Sequence, residues 1–329
     1  MLQLFRTNQA YQIALLIGYA LLLRADLLFV ARPMEMPGGG LFSEALFEWF
    51  GDRWPLRNTL TLLLLVGQAI LLNETVNRYR MVRDQTYVPA VCYVLLASGS
   101  PQLSQLSAPL LANTFLLLAI SALFAGHRRK EAMEPLFNAG FWVAVASLFY
   151  VSASVFLVFA LLALSLLRKP DLRENLVLVS GFVTVYLLLG VTFFCLDGLP
   201  YFGQRHFAAH FSFPHWTGRA DWSLYLQFGT AGLLLLWALG NLPTILFKTS
   251  IQVQVFLQVL YWGMLFSGLC LFVQRDVAWS HALLLCLPLS LFFAFNLMSL
   301  RSRFLAEALH LVVFMAAVAA QYQSYFFLF

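Results

Sequence analysis

Apolar runs long enough to cross a lipid bilayer recur from one end of this sequence to the other, and they restrict its fold more than any other feature. About twenty mainly apolar residues, wound as an α-helix, match the ~30 Å hydrocarbon thickness of a membrane. Such runs occur at 11–31, 57–77, 87–100, 105–126, 135–151, 153–168, 174–196, 223–247, 251–274, 277–299 and 303–328. The third, fifth and sixth are short, and two of them are candidates for half-spans or tilted helices, so the expected number is eleven, give or take one. Of the 329 residues, 61% are hydrophobic and 11% charged. A soluble domain is nearer half apolar and a quarter charged. In hydrocarbon every peptide group must be hydrogen-bonded within the protein. The predicted fold class is therefore all-α: a polytopic transmembrane helical bundle forming one integral membrane domain over 1–329.

The net charge of +5 could suggest a polyanionic partner, but the basic residues cluster between the apolar runs, so we expect topology and not nucleic acid to explain it. Cations favour the cytoplasmic side of a membrane. With Arg6 inside, the alternating turns place Arg78, Arg80, Arg83, Arg128, Arg129, Lys130, Arg168, Lys169, Arg173, Lys248, Arg301 and Arg303 inside as well, thirteen of the twenty basic residues. Six fall outside: Arg32, Arg53, Arg57, Arg205, Arg219 and Arg275. Adding or removing one helix breaks this alternation, so the sequence predicts N-in, C-out. The first run is interrupted by Arg24 and Asp26 and has no clear small-residue cleavage site, so it is expected to stay as an anchor and not to be removed as a signal peptide.

Two outer loops are longer than a helix connection needs, a common mark of function. The first, 32–56, contains LFSEALFEWF (41–50), an amphipathic pattern with Glu44 and Glu48 one turn apart, preceded by Pro37 and three glycines that predict a bend. The second, 197–222, carries Tyr201, Phe202, Phe207, Phe211, Phe213, Trp216 and Trp222. Both are expected to lie in the membrane interface.

The candidate chemistry sits on the same side. Asp26 and Glu35 are carboxylates able to accept a proton from a hydroxyl. Arg24, Arg53, Arg205 and Arg219, with His206, His210 and Asp221, form a set suited to an anionic head group or diphosphate, because a guanidinium can bind phosphate through two parallel bonds. Arg24 and Asp26 also admit a simpler reading, as side chains reaching up to the outer interface. On a helix His206 and His210 would share a face at metal-ligand spacing, but HFAAH lacks the glutamate of a zinc hydrolase. No cofactor is predicted, and a divalent metal has no further support. Cys92, Cys195, Cys270 and Cys286 form no CxxC pair and are expected to be small buried side chains. His281 is expected at the outer interface. No P-loop, dinucleotide fingerprint or GxSxG motif occurs, and no span carries a series of charges.

The stretches NRYRMVRDQTYVPAVCYVLL (77–96), SQLSAPLLANTFLLLAIS (104–121), FNAGFWVAVASLFY (137–150) and the RKP turn (168–170) together resemble a family of polytopic inner-membrane proteins of Bacteroidota that carries only a domain-of-unknown-function label. The resemblance covers roughly 60–170 and implies location and topology, with no activity to carry over. A looser likeness is to the C-type glycosyltransferase fold, whose members use polyprenyl-phosphate sugars and place an acidic residue after the first helix, beside interfacial helices. Asp26, Glu35 and LFSEALFEWF match that outline. The sequence departs from it in lacking an Asp-Glu doublet after the first helix and a soluble C-terminal domain.

Three functions stay open at this stage. The first is a non-catalytic subunit or scaffold in envelope biogenesis, secretion or motility, with membrane lipids and envelope proteins as partners. The second is a glycosyltransferase-like enzyme using a polyprenyl-phosphate sugar on the outer face, with Asp26 or Glu35 as base. The third is a lipid or small-solute transporter. The expected location is the bacterial inner membrane.

Overall fold

The computed structural model describes residues 2–5, 9, 11–26, 39–127, 129, 131–169, 171–208, 215–216, 222–273 and 276–322. The chain is a helical bundle. Its helices are α1 (Tyr11–Leu23), α2 (Leu41–Phe50), α3 (Trp54–Arg78), α4 (Val88–Ala97), α5 (Ala108–Gly126), α6 (Met133–Phe149), α7 (Phe156–Leu167), α8 (Leu172–Cys195), α9 (Trp222–Lys248), α10 (Ile251–Val273), α11 (Leu283–Ser299) and α12 (Arg303–Gln321). A helical turn at Leu199–Phe202 and a π-helical turn at Gly203–Ala208 lie between α8 and α9. The described extended structure is a two-residue parallel ladder, β1 (His215–Trp216) with β2 (Asp276–Val277).

Among the described residues, seven helices are long and apolar enough to cross a membrane: α3, α5, α8, α9, α10, α12, and α11 with the turn before it. Four shorter apolar segments, α1, α4, α6 and α7 with its leading 3-10 turn, fall on the remaining expected runs. α1 ends at Leu23, so Arg24 follows that helix and does not sit inside it; 27–31 of the first expected run lie outside the described residues.

Contacts tie distant connections together. Thr86 Oγ1 and Tyr87 N both donate to Phe5 O at 2.8 Å. Arg168 donates to Gly126 O at 2.8 Å and Arg129 O at 2.6 Å, and pairs with Glu174 at 2.8 Å. Gly40 N donates to Phe149 O at 2.7 Å, and Tyr322 donates its hydroxyl to Leu22 O at 3.1 Å. His281 stands edge-on to Tyr150 at 5.1 Å. This corrects the expectation of an interfacial His281: the residue is buried, because the Trp279–Ala282 turn folds into the bundle against α5 and α10.

α6 and α8 pack backbone to backbone. A Cβ on Gly140 would lie 1.9 Å from Leu178 O, and one on Gly181 would lie 2.1 Å from Phe137 O. Only a residue without a side chain lets two helices approach this closely, the same logic that places small residues at helix contacts in membranes. α8 and α9 are the helices with the widest outward apolar faces, including Leu176, Leu187, Leu188 and Phe194 on α8 and Leu233 and Leu236 on α9.

Gly140→Leu or Gly181→Leu should therefore destabilise the detergent-solubilised protein by about 1–3 kcal/mol, the usual range for overpacking. Gly190→Leu on α8, where a Cβ meets nothing within 4 Å, should leave the unfolding temperature unchanged in the same assay.

Candidate functional site

α4 is ten residues long and every one of them is buried. At 1.5 Å per residue it covers ~15 Å, about half the hydrocarbon thickness. Its C-terminus, and the non-helical segment 98–107 that follows, lie inside the protein, with most of those residues buried. A helix end leaves its last carbonyls without intrahelical partners and carries partial negative charge. Side chains from four distant segments answer both needs.

Arg24 is 0% exposed. Its Nη2 donates to Ala97 O at 2.8 Å, its Nε to Ser98 Oγ at 2.9 Å and its Nη1 to Ser104 O at 3.2 Å. Gln227 of α9 donates its amide to Leu96 O at 3.1 Å, and Cys286 of α11 points its thiol at the same oxygen at 3.7 Å. Gln321, at the end of α12, donates to Ser98 O at 3.0 Å and also reaches Ser104 Oγ. The residue just after α1 and side chains of α9, α11 and α12 thus meet on one broken helix end. The reading of Arg24 as a side chain reaching the outer interface is overturned, because its fork is turned inward onto protein acceptors. Asp26 is buried as well, at 5% exposed.

Another polar set supports the second outer loop. His206 is buried, stacked on Phe202 at 5.3 Å, with its Nε2 3.3 Å from the Tyr186 hydroxyl. Tyr186 in turn lies 2.6 Å from Ser147 Oγ on α6. This chain pins the 199–208 turns to α8 and α6. Arg205 is a residue of the same π turn.

α2 forms over 41–50 as its pattern predicts, with Ser43, Phe47 and Phe50 inward and Trp49 outward. Its entry depends on Gly40, where a Cβ would lie 2.2 Å from Leu148 O. Arg53 is exposed, its guanidinium 5.7 Å from the Trp49 ring centroid. Between α2 and the second loop lies a groove of about 310 Å³, lined by Leu41, Phe42, Glu44, Glu48, Phe193 and Tyr201. The groove thus joins α2, within the first long loop, to the Leu199–Phe202 turn of the second. The carboxylates they enclose are Glu44 and Glu48, whose amphipathic spacing was visible in sequence but was read only as a helix edge.

The predicted set does not come together among the described residues. Arg24 sits at the broken helix end, His206 in the aromatic stack and Arg53 over Trp49. Glu35, His210, Arg219 and Asp221 lie outside the described residues. Among the described residues no group of three His, Cys, Asp or Glu side chains is placed to hold a metal ion. Cys92, Cys270 and Cys286 are buried, whereas Cys195 is exposed. No family model, curated protein or solved structure matches this chain.

Arg24→Leu should destabilise the protein strongly, since each buried acceptor left unsatisfied costs about 1–3 kcal/mol. Arg24→Lys should recover only part of the loss, because an ammonium cannot reproduce the fork. Thermal unfolding in a mild detergent measures both.

Proposed function

We propose that this chain is a multi-pass protein of the bacterial inner membrane, with about eleven crossings, N-in and C-out, acting as a non-catalytic subunit or scaffold in envelope biogenesis, secretion or motility. The charge alternation along the sequence supports the orientation. The observation that carries the scaffold reading is the use of the polar interior. Arg24, Gln321 and His206 hold backbone and loops in place, and hydrogen bonds of this kind rigidify a fold. The resemblance to polytopic Bacteroidota proteins and the wide outward faces of α8 and α9 fit a part embedded among lipids and membrane-protein partners.

One observation favours a second reading. The groove between α2 and the second loop places Glu44 and Glu48 beside Tyr201 and Phe42. In a C-type glycosyltransferase-like enzyme acting on a polyprenyl-phosphate sugar, one of these carboxylates would take the proton from the acceptor hydroxyl. Asp26 does not line that groove.

Gentle-detergent purification should recover a stoichiometric membrane partner, and a chain that elutes alone and monomeric contradicts the scaffold. Replacing Cys195 by alanine and placing single cysteines at Ala45 and Glu131 tests orientation: a membrane-impermeant maleimide applied to cells with a permeabilised outer membrane should label position 45 and spare position 131. For the second reading, Glu44→Gln and Glu48→Gln are each examined at normal protein level in a strain with a scorable envelope glycan. Normal glycan from both removes the groove base.

A further inference from the structure

α9 carries a run of small residues, Gly229, Ala231 and Gly232. A Cβ on Gly232 would meet nothing within 4 Å. The space left there is a cavity of about 200 Å³ between α9, α10 and α11, lined by Gln227, Gly232, Leu235, Met264, Leu285 and Leu289 among others. From Gln227 to Leu235 it follows α9 for about 12 Å. Phe228, which also lines it, packs on Trp279 at 5.3 Å.

An apolar cavity of this size stays dry and takes hydrocarbon; an engineered one of about 150 Å³ does so. The polar group at its end is more informative. Gln227 is 9% exposed. Its amide nitrogen is committed to Leu96 O, while its buried amide oxygen has no hydrogen-bond partner among the described residues. That oxygen can only accept a hydrogen bond. The ester of an ordinary acyl chain has no donor to offer, whereas a hydroxyl has one. Phe228, part of the cavity wall, is itself exposed, so the cavity has an edge at the protein surface through which a chain can enter.

We propose that this cavity holds the hydrocarbon chain of a membrane lipid that carries a hydroxyl near its head end, with that hydroxyl donating to Gln227 Oε1. The assignment rests on the membrane placement.

The test uses the full chain reconstituted in phosphatidylethanolamine vesicles with a trace of phospholipid bearing a photoactivatable diazirine on its acyl chain. Label is expected on the peptides holding Phe228 and Met264. A 3-hydroxyacyl phospholipid should displace it about fivefold better than the unsubstituted analogue, the worth of one hydrogen bond. Gly232→Phe, filling the space, should abolish that label, while Gly190→Phe on the outward face of α8 should not. Equal competition by the two lipids overturns the role of Gln227 and needs no variant. Label at those peptides that survives in folded Gly232→Phe overturns the site. A chain recovered in the aqueous fraction without detergent overturns the membrane placement itself. A chain that pellets with vesicles but takes no label at Phe228 and Met264 overturns this inference alone.

Discussion

A helix that stops inside a protein exposes carbonyl groups where no water can reach them, and the bundle is arranged around satisfying one such end. α4 stops after ten buried residues. The carbonyls of Leu96, Ala97 and Ser98 are answered by Gln227, Cys286, Arg24 and Gln321. In a membrane, irregular backbone is tolerated only where protein covers it or a wet cavity receives it. Here protein covers it. A cation at a helix C-terminus gains from the dipole as well as from its hydrogen bonds, which offsets part of the desolvation of the guanidinium. Because the residue after α1 and the helices α9, α11 and α12 all send side chains to this point, their relative positions are fixed by polar contacts of known geometry, while the apolar contacts elsewhere supply area without direction.

The other tight constraints are steric. Gly140 and Gly181 let α6 and α8 meet at backbone distance, and Gly40 lets the entry of α2 touch the end of α6. α6 therefore carries α2 on one side and α8 on another, and α8 carries the turns around His206. That arrangement brings α2 beside the Leu199–Phe202 turn and creates the groove with Glu44 and Glu48. Small residues act in the opposite sense on α9, where Gly232 meets no neighbour and leaves a cavity.

Much of the helical content was legible because hydrocarbon thickness imposes a length on apolar runs, and each expected run contains a helix. The amphipathic 41–50 segment was legible for the same kind of reason: its period is written in adjacent residues. The broken end of α4 was visible only as a short run. Its caps were not, because Gln227 and Gln321 lie 131 and 223 residues from the carbonyls they bind, and a lone glutamine in an apolar stretch does not reveal its partner. Arg24 and His281 were misplaced for one reason. A polar residue near the end of a span is assigned to the interface by sequence, whereas the fold can turn it inward when acceptors or aromatic rings wait there. The described wall of the groove comes mostly from α2 and the Leu199–Phe202 turn, both within the loops the sequence singles out, but its carboxylates are a helical pair that sequence reading gave only a structural role.

The central claim is that residues 98–107, though not helical, are interior backbone held by Arg24. Amide hydrogen exchange of the peptide spanning 97–107, measured by mass spectrometry on the protein in lipid nanodiscs, tests it most directly. Wild-type exchange should be about as slow as that of the buried α4 helix, and exchange throughout this peptide should become faster when Arg24 is replaced by leucine. Rapid exchange of 98–107 in the wild-type protein, at the rate of an exposed loop, would contradict it.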